Sequence, residues 1–482
     1  MRRSASAPSS VTSASSSPPF APLRAPFAPR RAPALLAASA LVWLVASAFA
    51  ACGGTSDVPS APGGGDAGAT PDAFVSDASG DVAVLELDAG GIDAAPGDGA
   101  TAYPAFIPDV PTITNHGGSV LSSAKIVTIV WTADPNYKTY ESFSDAIGTS
   151  DFWKAATSEY GAGPARSGGH VEIATTPPAS FDTSTANDEI DAFIVKGVKG
   201  APANGWPVPD DQTLYVLYIP EATAILDQGV DACAQNVGYH TETQGVAAHP
   251  HVVYGVVAEK CHDAMTTVVD NATETAAHEI VEAATDPHTD TDLAWTGFDV
   301  DHYVWELFQE RQDENADACE FFPDSYYKDA QLGASMQRIW SNQSALAGKN
   351  PCVPEDRATP YFNVTPLAQE FITTTGTTGK LRRSKGFQVP VGSTKTIDVG
   401  FFSDAPTDAW TLTAKEGDGF TAPVAPHLTL AVDKGTGNNG DVAHVAVTVT
   451  STPTKGNQII FTLLSTQGTV RHMMPILVGA YP

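Results

Sequence analysis

Positive charge is scarce in this sequence. Among its 482 residues, 26 Lys and Arg stand against 55 Asp and Glu, which gives a formal net charge of −29. A surface of that sign repels phosphate backbones and anionic lipid headgroups, so nucleic-acid binding is excluded. Charged residues make up only 17% of the chain and hydrophobic residues 42%, which is enough apolar mass for folded cores. The length predicts two or three folded units.

Several catalytic signatures are also missing. The sequence has no G-x-S-x-G nucleophile elbow, no Walker loop and no kinase signature, so serine hydrolase chemistry and phosphoryl transfer have no support. Residues 435–440 match G-x-G-x-x-G, but they lie between predicted strands and no helix signal follows them. We interpret this segment as a turn rather than a dinucleotide-binding loop.

Residues 1–51 have the order of an export signal. A Ser-, Ala- and Pro-rich segment with five Arg precedes an apolar stretch over 32–51, and small residues lead into Cys52. The junction resembles a bacterial lipobox, although Phe49 stands where Leu is usual. We therefore predict a lipoprotein signal peptide, with a lipid on Cys52 that binds the membrane and places the protein in the bacterial cell envelope, at the outer membrane or surface. The alternative is an uncleaved anchor, since about 20 apolar residues can just span a bilayer.

A low-complexity segment over residues 52–105 follows the leader. It consists mainly of Gly, Ala, Asp, Pro and Ser, and it contains acidic residues but no Lys or Arg. Such a composition buries too little apolar surface to offset the entropy lost on ordering, so we predict a disordered acidic tether.

Cysteine is rare, and its number is informative. The chain has five cysteines, of which four remain if Cys52 is lipidated. An even number in an exported chain favours disulfides, and three pairings are open. We favour Cys233 with Cys261 and Cys319 with Cys352, because these nearest-neighbour pairs close loops that flank the candidate site. A four-thiolate zinc site would need close C-x-x-C pairs, which the sequence lacks.

Residues 106–355 make up the first predicted folded part. Apolar β-branched runs predict strands at the end of 119–132 and over 170–174, 213–219 and 252–258. Helical spacing appears over 141–160, 187–198 and 264–286, and the last of these contains no Gly or Pro before Pro287. This alternation predicts an α/β or α+β layer domain, and we favour α+β, a mixed sheet with packed helices.

Residues 360–482 have a different sequence pattern. Short alternating runs over 396–402, 410–414, 428–432, 442–450, 459–464 and 472–478 are separated by turn residues, and no helix signal appears. Six or more strands over about 120 positions predict an all-β sandwich of immunoglobulin-like type.

The long predicted helix carries the candidate chemistry. His278 and Glu282 are four residues apart, so on a helix they project from one face and suit two ligands of one metal ion. Glu279 stands where the catalytic base stands in H-E-x-x-H zinc hydrolases. A carboxylate in place of the second His is acceptable for Zn²⁺ but favours harder ions. The alternative is an ordinary helix with a solvated carboxylate face, because H-E-x-x-E alone is a weak pattern.

The surroundings of His278 strengthen the metal hypothesis. Most neighbouring positions on this helix are Ala, Ile or Val, so the helix is expected to be buried almost all round. A buried His with two buried Glu needs a compensating charge. The acidic stretch over 310–320 offers a third ligand, either Asp317 or Glu314, although such a loop can also simply be solvated.

A series of short motifs occurs in a characteristic order between residues 115 and 353. They are His116-Gly-Gly-Ser-Val-Leu, Ile126-Val-Thr-Ile-Val-Trp131, Cys233 with Gly238-Tyr239-His240, Tyr254-Gly-Val-Val, His278-Glu279-Ile-Val-Glu282, Glu314-Asn-Ala-Asp317-Ala-Cys319, and Ile339-Trp340-Ser341-Asn342 before Cys352-Val353. In this order they resemble the Exordium / phosphate-induced protein 1 family and its bacterial relatives. The His-Glu helix that ends in Thr-Asp-Pro is the most specific piece.

The resemblance implies an extracellular or envelope location and a zincin-like helix, without an established reaction. Carried over by position, it makes His278, Glu282 and Asp317 the metal ligands and Glu279 the base. It adds His240 as a candidate fourth group, although His240 by itself is more typical of a structural residue. An insert over 290–311 precedes the acidic motif and leaves the choice between Asp317 and Glu314 open.

These features predict an exported lipoprotein with a metal-dependent, peptidase-like hydrolase domain. Zn²⁺ is the expected cofactor, a peptide or a cell-surface molecule the expected substrate, and an appended sandwich would position the enzyme or contact its substrate. The alternative is a non-catalytic envelope or adhesion protein in which the same helix binds a structural ion or none.

Overall fold

This computed structural model describes residues 102–184, 188–234, 238–243, 249, 251–262, 266–309, 314–356, 358–419 and 423–481. The predicted signal peptide, Cys52 and residues 52–101 of the predicted tether lie outside these ranges. The described residues belong to one compact unit. Within them, no helix is long and apolar enough to cross a membrane.

The first folded part mixes helices and strands, as predicted. Its helices are α1 (Tyr137–Ile147), α2 (Asp151–Thr157), α3 (Glu189–Gly200), α4 (Val268–Thr285), α5 (Tyr303–Phe308), α6 (Asp317–Glu320) and α7 (Asn342–Leu346). Its strands are β1 (Ile113–Asn115), β2 (Lys125–Trp131), β3 (Arg166–Ile173), β4 (Ser180–Asp182), β5 (Thr213–Ile219), β6 (Ala224–Asp227), β7 (Val230–Asp231), β8 (Gly238–Glu242), β9 (Val253–Ala258), β10 (Trp295–Phe298), β11 (Tyr326–Asp329), β12 (Ala334–Gln337), β13 (Ile339–Trp340) and β14 (Cys352–Val353). Short 3₁₀ turns cover Ser158–Tyr160, Ala232–Ala234, Glu259–Cys261 and Val300–His302.

A five-stranded sheet in the order β3-β2-β5-β9-β8 forms the centre of this part. The first four strands are parallel, whereas β8 pairs antiparallel with β9 at the edge. Every residue of β5 is buried, which explains its continuous apolar run, because helices cover both faces of a parallel sheet. Ile126 and Val130 of β2 pack with α1, α2 and α4, and the intervening Val127 and Ile129 pack with α3.

The helical spacing over 141–160 is divided between α1, α2 and a 3₁₀ turn. The break follows Gly148, where a Cβ atom would meet the Cβ of Ala165 at 2.5 Å. Ser150 then begins α2 by accepting a hydrogen bond from the backbone N–H of Trp153. A helix that continued through this point would lose both the close contact and the cap.

The second folded part consists of strands, as its sequence pattern predicts. They are β15 (Phe362–Pro366), β16 (Glu370–Thr375), β17 (Leu381–Pro390), β18 (Thr394–Ser403), β19 (Trp410–Glu416), β20 (Leu428–Val432), β21 (Thr436–Gly437), β22 (Val442–Val449), β23 (Gln458–Gln467) and β24 (Val470–Tyr481). Two sheets result, in the orders β15-β18-β22-β20 and β16-β17-β24-β23-β19-β21. The segment 435–440 is not only a turn, because Thr436 and Gly437 form β21, but it leads into β22 without the helix that a dinucleotide-binding loop requires.

One hydrophobic cluster joins the two parts. It contains Trp305 and Phe308 of α5, Trp340 of β13, and many side chains of the second part, among them Phe362 and Phe387. The predicted insert over 290–311 supplies β10 and α5 to this arrangement, at positions 295–298 and 303–308. The predicted boundary near residue 355 therefore crosses a continuous core.

Both favoured disulfides are present. Cys233 is bonded to Cys261 and Cys319 to Cys352, and the second pair lies inside the shared core. Disulfides of this kind persist in oxidising compartments, so they indicate an extracytoplasmic location.

Replacing Cys319 and Cys352 together by Ser should lower the free energy of unfolding by about 3–5 kcal/mol, because the cross-link is lost and two hydroxyls enter the core. Replacing Cys233 and Cys261 is the matched control. The two bonds span 33 and 28 residues, so their loop-entropy contributions are nearly equal. Cys319 and Cys352 are 0% and 1% exposed, whereas Cys261 is 6% exposed and Cys233 is only partly buried, so the control should lose less. Urea unfolding of both variants measures the difference, and a larger loss in the control would contradict this account.

Candidate metal centre

Three segments meet at one buried cluster of His and carboxylate side chains. Strand β8 contributes His240, helix α4 contributes His278, Glu279 and Glu282, and the segment 314–320 contributes further acids. Thr267 begins α4 by capping the backbone N–H of Asp270, and the helix continues for 18 residues against the sheet. The chemistry thus lies on a rigid helix beside an edge strand.

The three ligands predicted from the sequence and the resemblance lie together. Nε2 of His278 is 3.0 Å from Oε2 of Glu282, one helical turn away, and 3.4 Å from Oδ1 of Asp317. Their side chains are between 3% and 12% exposed. The solvated carboxylate face that was the alternative reading of this helix is therefore wrong.

His240 lies in the same cluster. Its Nδ1 is 3.6 Å from Oε2 of both Glu279 and Glu282, and its Nε2 is 3.5 Å from Oε1 of Glu314. The ring also contacts the backbone carbonyl oxygen of Asp286 at 3.3 Å. Both residues that the sequence left open, Glu314 and Asp317, thus border the cluster, next to different histidines.

Two overlapping sets of side chains have the spacing of metal ligands. Ligand atoms of His278, Glu279 and Glu282 lie within 4.8 Å of one another, and so do those of His240, Glu282 and Glu314. Glu282 belongs to both sets. Imidazole and carboxylate donors of this kind suit a divalent cation, while the positions do not identify which one.

Burial and mutual repulsion set the protonation of the acids. Burial raises the pKa of Glu282 to about 7, although the imidazole of His278 opposes this shift. Burial likewise raises the pKa of Glu320 to about 7, again against the attraction of His278. These acids are close enough that they cannot all be ionised at low cost without a positive charge among them.

The pKa values of the two imidazoles are also raised, but by the neighbouring carboxylates and against the effect of burial. Burial lowers the pKa of His240, but the carboxylates of Glu314, Glu279 and Glu282 outweigh it and raise that pKa to about 10. The pKa of His278 is raised for the same reason, chiefly by Glu282, despite its burial. The site therefore stabilises positive charge strongly.

The donor set fits a bound cation. Oε1 of Glu314 and Oε2 of Glu320 are buried and have no hydrogen-bonding partner in the described part of the chain. Buried oxygens without a partner are costly. In addition, the carboxylates of the cluster outnumber its two imidazoles, so the negative charge exceeds the positive charge. A divalent cation would supply both the missing partner and the missing charge.

Gln337 on β12 holds His278 in place. Oε1 of Gln337 is 3.1 Å from Nδ1 of His278, and its Nε2 donates to the carbonyl oxygen of Ala316 at 2.8 Å. With Nδ1–H donating to the amide oxygen, Nε2 of His278 is left facing the carboxylates, which is the arrangement that outer partners give to ligating histidines. Sequence reasoning missed Gln337, because nothing in its local pattern relates it to a helix 59 residues earlier.

A second polar cluster adjoins the first and was also missed. The buried carboxylate of Glu242, two residues after His240 on β8, receives Oγ1–H of Thr291 at 2.6 Å. Nδ1 of His288 and Nδ1 of His251 lie 2.8 and 3.0 Å from its other oxygen. The i, i+2 spacing of His240 and Glu242 on a strand is the one sequence signal that places them on the same face.

Comparison with known proteins does not identify the chain. No family model matches it, and no curated protein matches it. Solved structures that share features with it include the titin M3 domain, at 9% identity and a TM-score of 0.15 over 20% of this chain and 88% of that chain. Titin domain M7 matches at 14% identity and a TM-score of 0.14, over 20% of this chain and 84% of that chain. Likenesses this weak decide neither fold nor function.

Gly238 allows β8 to approach α4. A Cβ atom at this position would meet Cγ2 of Thr275 at 2.5 Å, the carbonyl oxygen of Val256 at 2.7 Å and Oε1 of Glu279 at 2.8 Å. Gly255 on the neighbouring strand faces the same glutamate, but a Cβ there would lie 3.6 Å from Cβ of Glu279, an ordinary contact.

Gly238→Ala should therefore lower the free energy of unfolding by about 1–3 kcal/mol, because the added methyl group pushes β8 away from α4. Gly255→Ala is the control and should change stability by less than about 1 kcal/mol. Chemical denaturation of the two variants measures the contrast. Equal free energies of unfolding for the two variants would show that β8 and α4 do not approach each other as closely as described.

Proposed function

We propose that the chain is an exported metal-dependent hydrolase of peptidase type with Zn²⁺ as its cofactor. The observation that carries the proposal is the convergence of two histidines and several acids from β8, α4 and residues 314–320 in one buried cluster. The resemblance to the Exordium family and a zincin-like placement of α4 beside an antiparallel edge strand belong to the same proposal. So does an immunoglobulin-like class for the two C-terminal sheets.

His278, Glu282 and Asp317 are the proposed ligands, and His240 and Glu314 lie where they can complete the shell. When bound, Zn²⁺ supplies Lewis-acid chemistry, which polarises a carbonyl and acidifies water. The carboxylate share of this donor set is high, which weakens that effect and admits harder ions.

Glu279 is the proposed base. Its carboxylate lies within ligand-atom distance of both His278 and Glu282, and it faces His240 across the gap between α4 and β8. From there it can accept a proton from the attacking water and return it to the leaving amine. His240 would hold the carboxylate in this orientation.

A structural role for the metal is the second candidate, and one observation favours it. The side chains of His240, Glu279 and Glu282 are between 3% and 6% exposed, and closed shells are typical of structural ions, whereas catalytic ions keep an open position. In that case the chain would be a non-catalytic envelope or adhesion protein. Lipid attachment at Cys52, with the membrane as partner, is part of either version.

Elemental analysis of the purified chain should find about one equivalent of divalent metal, which His278→Ala loses. Because a ligand that binds only the folded state stabilises it, chelation should lower the free energy of unfolding by about 4 kcal/mol when metal had been present at a thousand times its Kd. His444→Ala, an exposed imidazole on β22, is the control and should keep the metal. A folded, metal-free wild-type chain would overturn the proposal.

Glu279→Gln separates catalysis from a structural role. The substitution keeps the size of the side chain and removes the base, so it should retain the metal and reduce peptide hydrolysis by a factor of about 100 to 10,000. Hydrolysis is measured on unbiased peptide mixtures by mass spectrometry. If the wild-type chain with its full complement of metal cleaves none of them, the structural alternative stands.

A further inference from the structure

The hairpin formed by β16 and β17 is an exception to the acidity of the chain. Residues 380–385 read Lys-Leu-Arg-Arg-Ser-Lys, which places four of the 26 basic residues within six positions. The turn before them is closed by a hydrogen bond from the backbone N–H of Gly376 to the carbonyl oxygen of Lys380. Strand β16 lies at the edge of its sheet, so one side of the hairpin has no neighbouring strand among the described residues.

The register of the hairpin sorts its side chains onto two faces. Phe371 lies opposite Lys385, Thr373 opposite Arg383 and Thr375 opposite Leu381. The alternate residues lie on the other face, where Ile372 and Ser384 are buried, while Glu370 and Arg382 of the same set are exposed. The outward face therefore carries two apolar side chains with Arg383 between them, together with Lys385 and two threonines.

The apolar side chains of this region are unusually open to solvent. Leu381 is 69% exposed and Phe371 is 54% exposed. Single exposed hydrophobic residues are common, but two on one face, with a cation between them that has no ion pair among the described residues, point to an interaction surface.

Much of the positive charge on the hairpin is not neutralised. Lys385 pairs with Asp109 at 2.6 Å, but Lys380, Arg382 and Arg383 form no ion pair with any carboxylate in the described ranges. The guanidinium of Arg383 lies 4.2 Å from the ring centroid of Phe371. This cation–π contact holds the charge beside the exposed ring.

We propose that the β16–β17 hairpin is a membrane-contact surface that binds anionic phospholipid headgroups. Cations attract the headgroups, and the apolar side chains enter the boundary between headgroups and acyl chains. A polyanionic sugar or a nucleic acid would use the cations and leave Phe371 and Leu381 in water. The proposal is independent of the metal centre and of lipid on Cys52.

The net charge of −29 does not prevent this contact. Charges on a protein surface are screened over about 8 Å at physiological ionic strength, so headgroups at the hairpin respond mainly to the residues within that distance. The repulsion predicted from the net charge is an average over the whole surface. It does not describe a hairpin at which basic residues are concentrated.

A polarity-sensitive dye on a cysteine at position 381 (L381C) in the complete chain tests the proposal. The chain is mixed with vesicles of phosphatidylcholine alone or of phosphatidylcholine with phosphatidylglycerol that carry a quencher on their acyl chains. The same dye at Val208 (V208C), an exposed apolar position of the first folded part, is the control for contact made by any other region. Whatever the N-terminal region contributes is identical in both labelled chains.

With phosphatidylglycerol present, the dye at position 381 should shift to shorter wavelength and be quenched, and the dye at position 208 should not. In the L381C background, reversing two exposed charges with K380E and R383E should weaken the response about tenfold or more. Reversing two exposed lysines of α3 with K196E and K199E changes the net charge equally and should leave the response intact.

Three results would overturn the proposal. The first is the same response without phosphatidylglycerol, and the second is an equal response at positions 208 and 381. The third is a dye at position 381 whose fluorescence changes with a soluble anionic polysaccharide but not with vesicles. That result would make the polysaccharide, and not the membrane, the ligand of the hairpin. Far-ultraviolet circular dichroism of each variant establishes that a lost response is not a lost fold.

Discussion

The candidate centre depends on the buried carboxylate of Glu282, which links its three segments. One of its oxygens faces His278 at 3.0 Å and His240 at 3.6 Å. The other accepts the backbone N–H groups of Ala316 and Asp317, each at 3.2 Å. A single buried side chain thus joins β8, α4 and the acidic segment. Its removal would leave the two backbone donors without their acceptor and would take one carboxylate neighbour from each imidazole, which is costly in a buried site.

The arrangement around Glu282 explains why so many acids are tolerated in the interior. Buried carboxylates are stable only when they are protonated, hydrogen-bonded or opposed by positive charge. Two imidazoles compensate part of the charge, and the buried oxygens of Glu314 and Glu320 remain without a hydrogen-bonding partner among the described residues. A divalent cation supplies both a partner for these oxygens and a positive charge. The convergence of imidazole and carboxylate donors from three segments, rather than the H-E-x-x-E spacing alone, is what favours a metal.

The sequence was informative where a rule acts locally and uninformative where the fold brings distant residues together. The buried strand β5 and the extent of α4 followed from apolar runs and from the absence of Gly and Pro, because these features act within one element. The cysteine count indicated two disulfides but left three pairings open, and the favoured nearest-neighbour pairing is the one present. Gln337 and the cluster around Glu242 could not be predicted, since their partners are 59 and 46 residues away in the chain. The first three strands of the second part, over 362–390, were missed because polar Thr, Arg and Lys obscure their alternation.

The second folded part has a physical connection to the candidate centre. The acidic segment ends at Cys319, whose disulfide to Cys352 is buried in the core that both parts share. Asp109 adds a polar connection, because it contacts His302 at 3.1 Å and Lys385 at 2.6 Å. Since Asp317 lies two residues before Cys319, its position depends on packing that the C-terminal strands complete. The second part is therefore better understood as a support for the third segment of the centre than as an independent appendage.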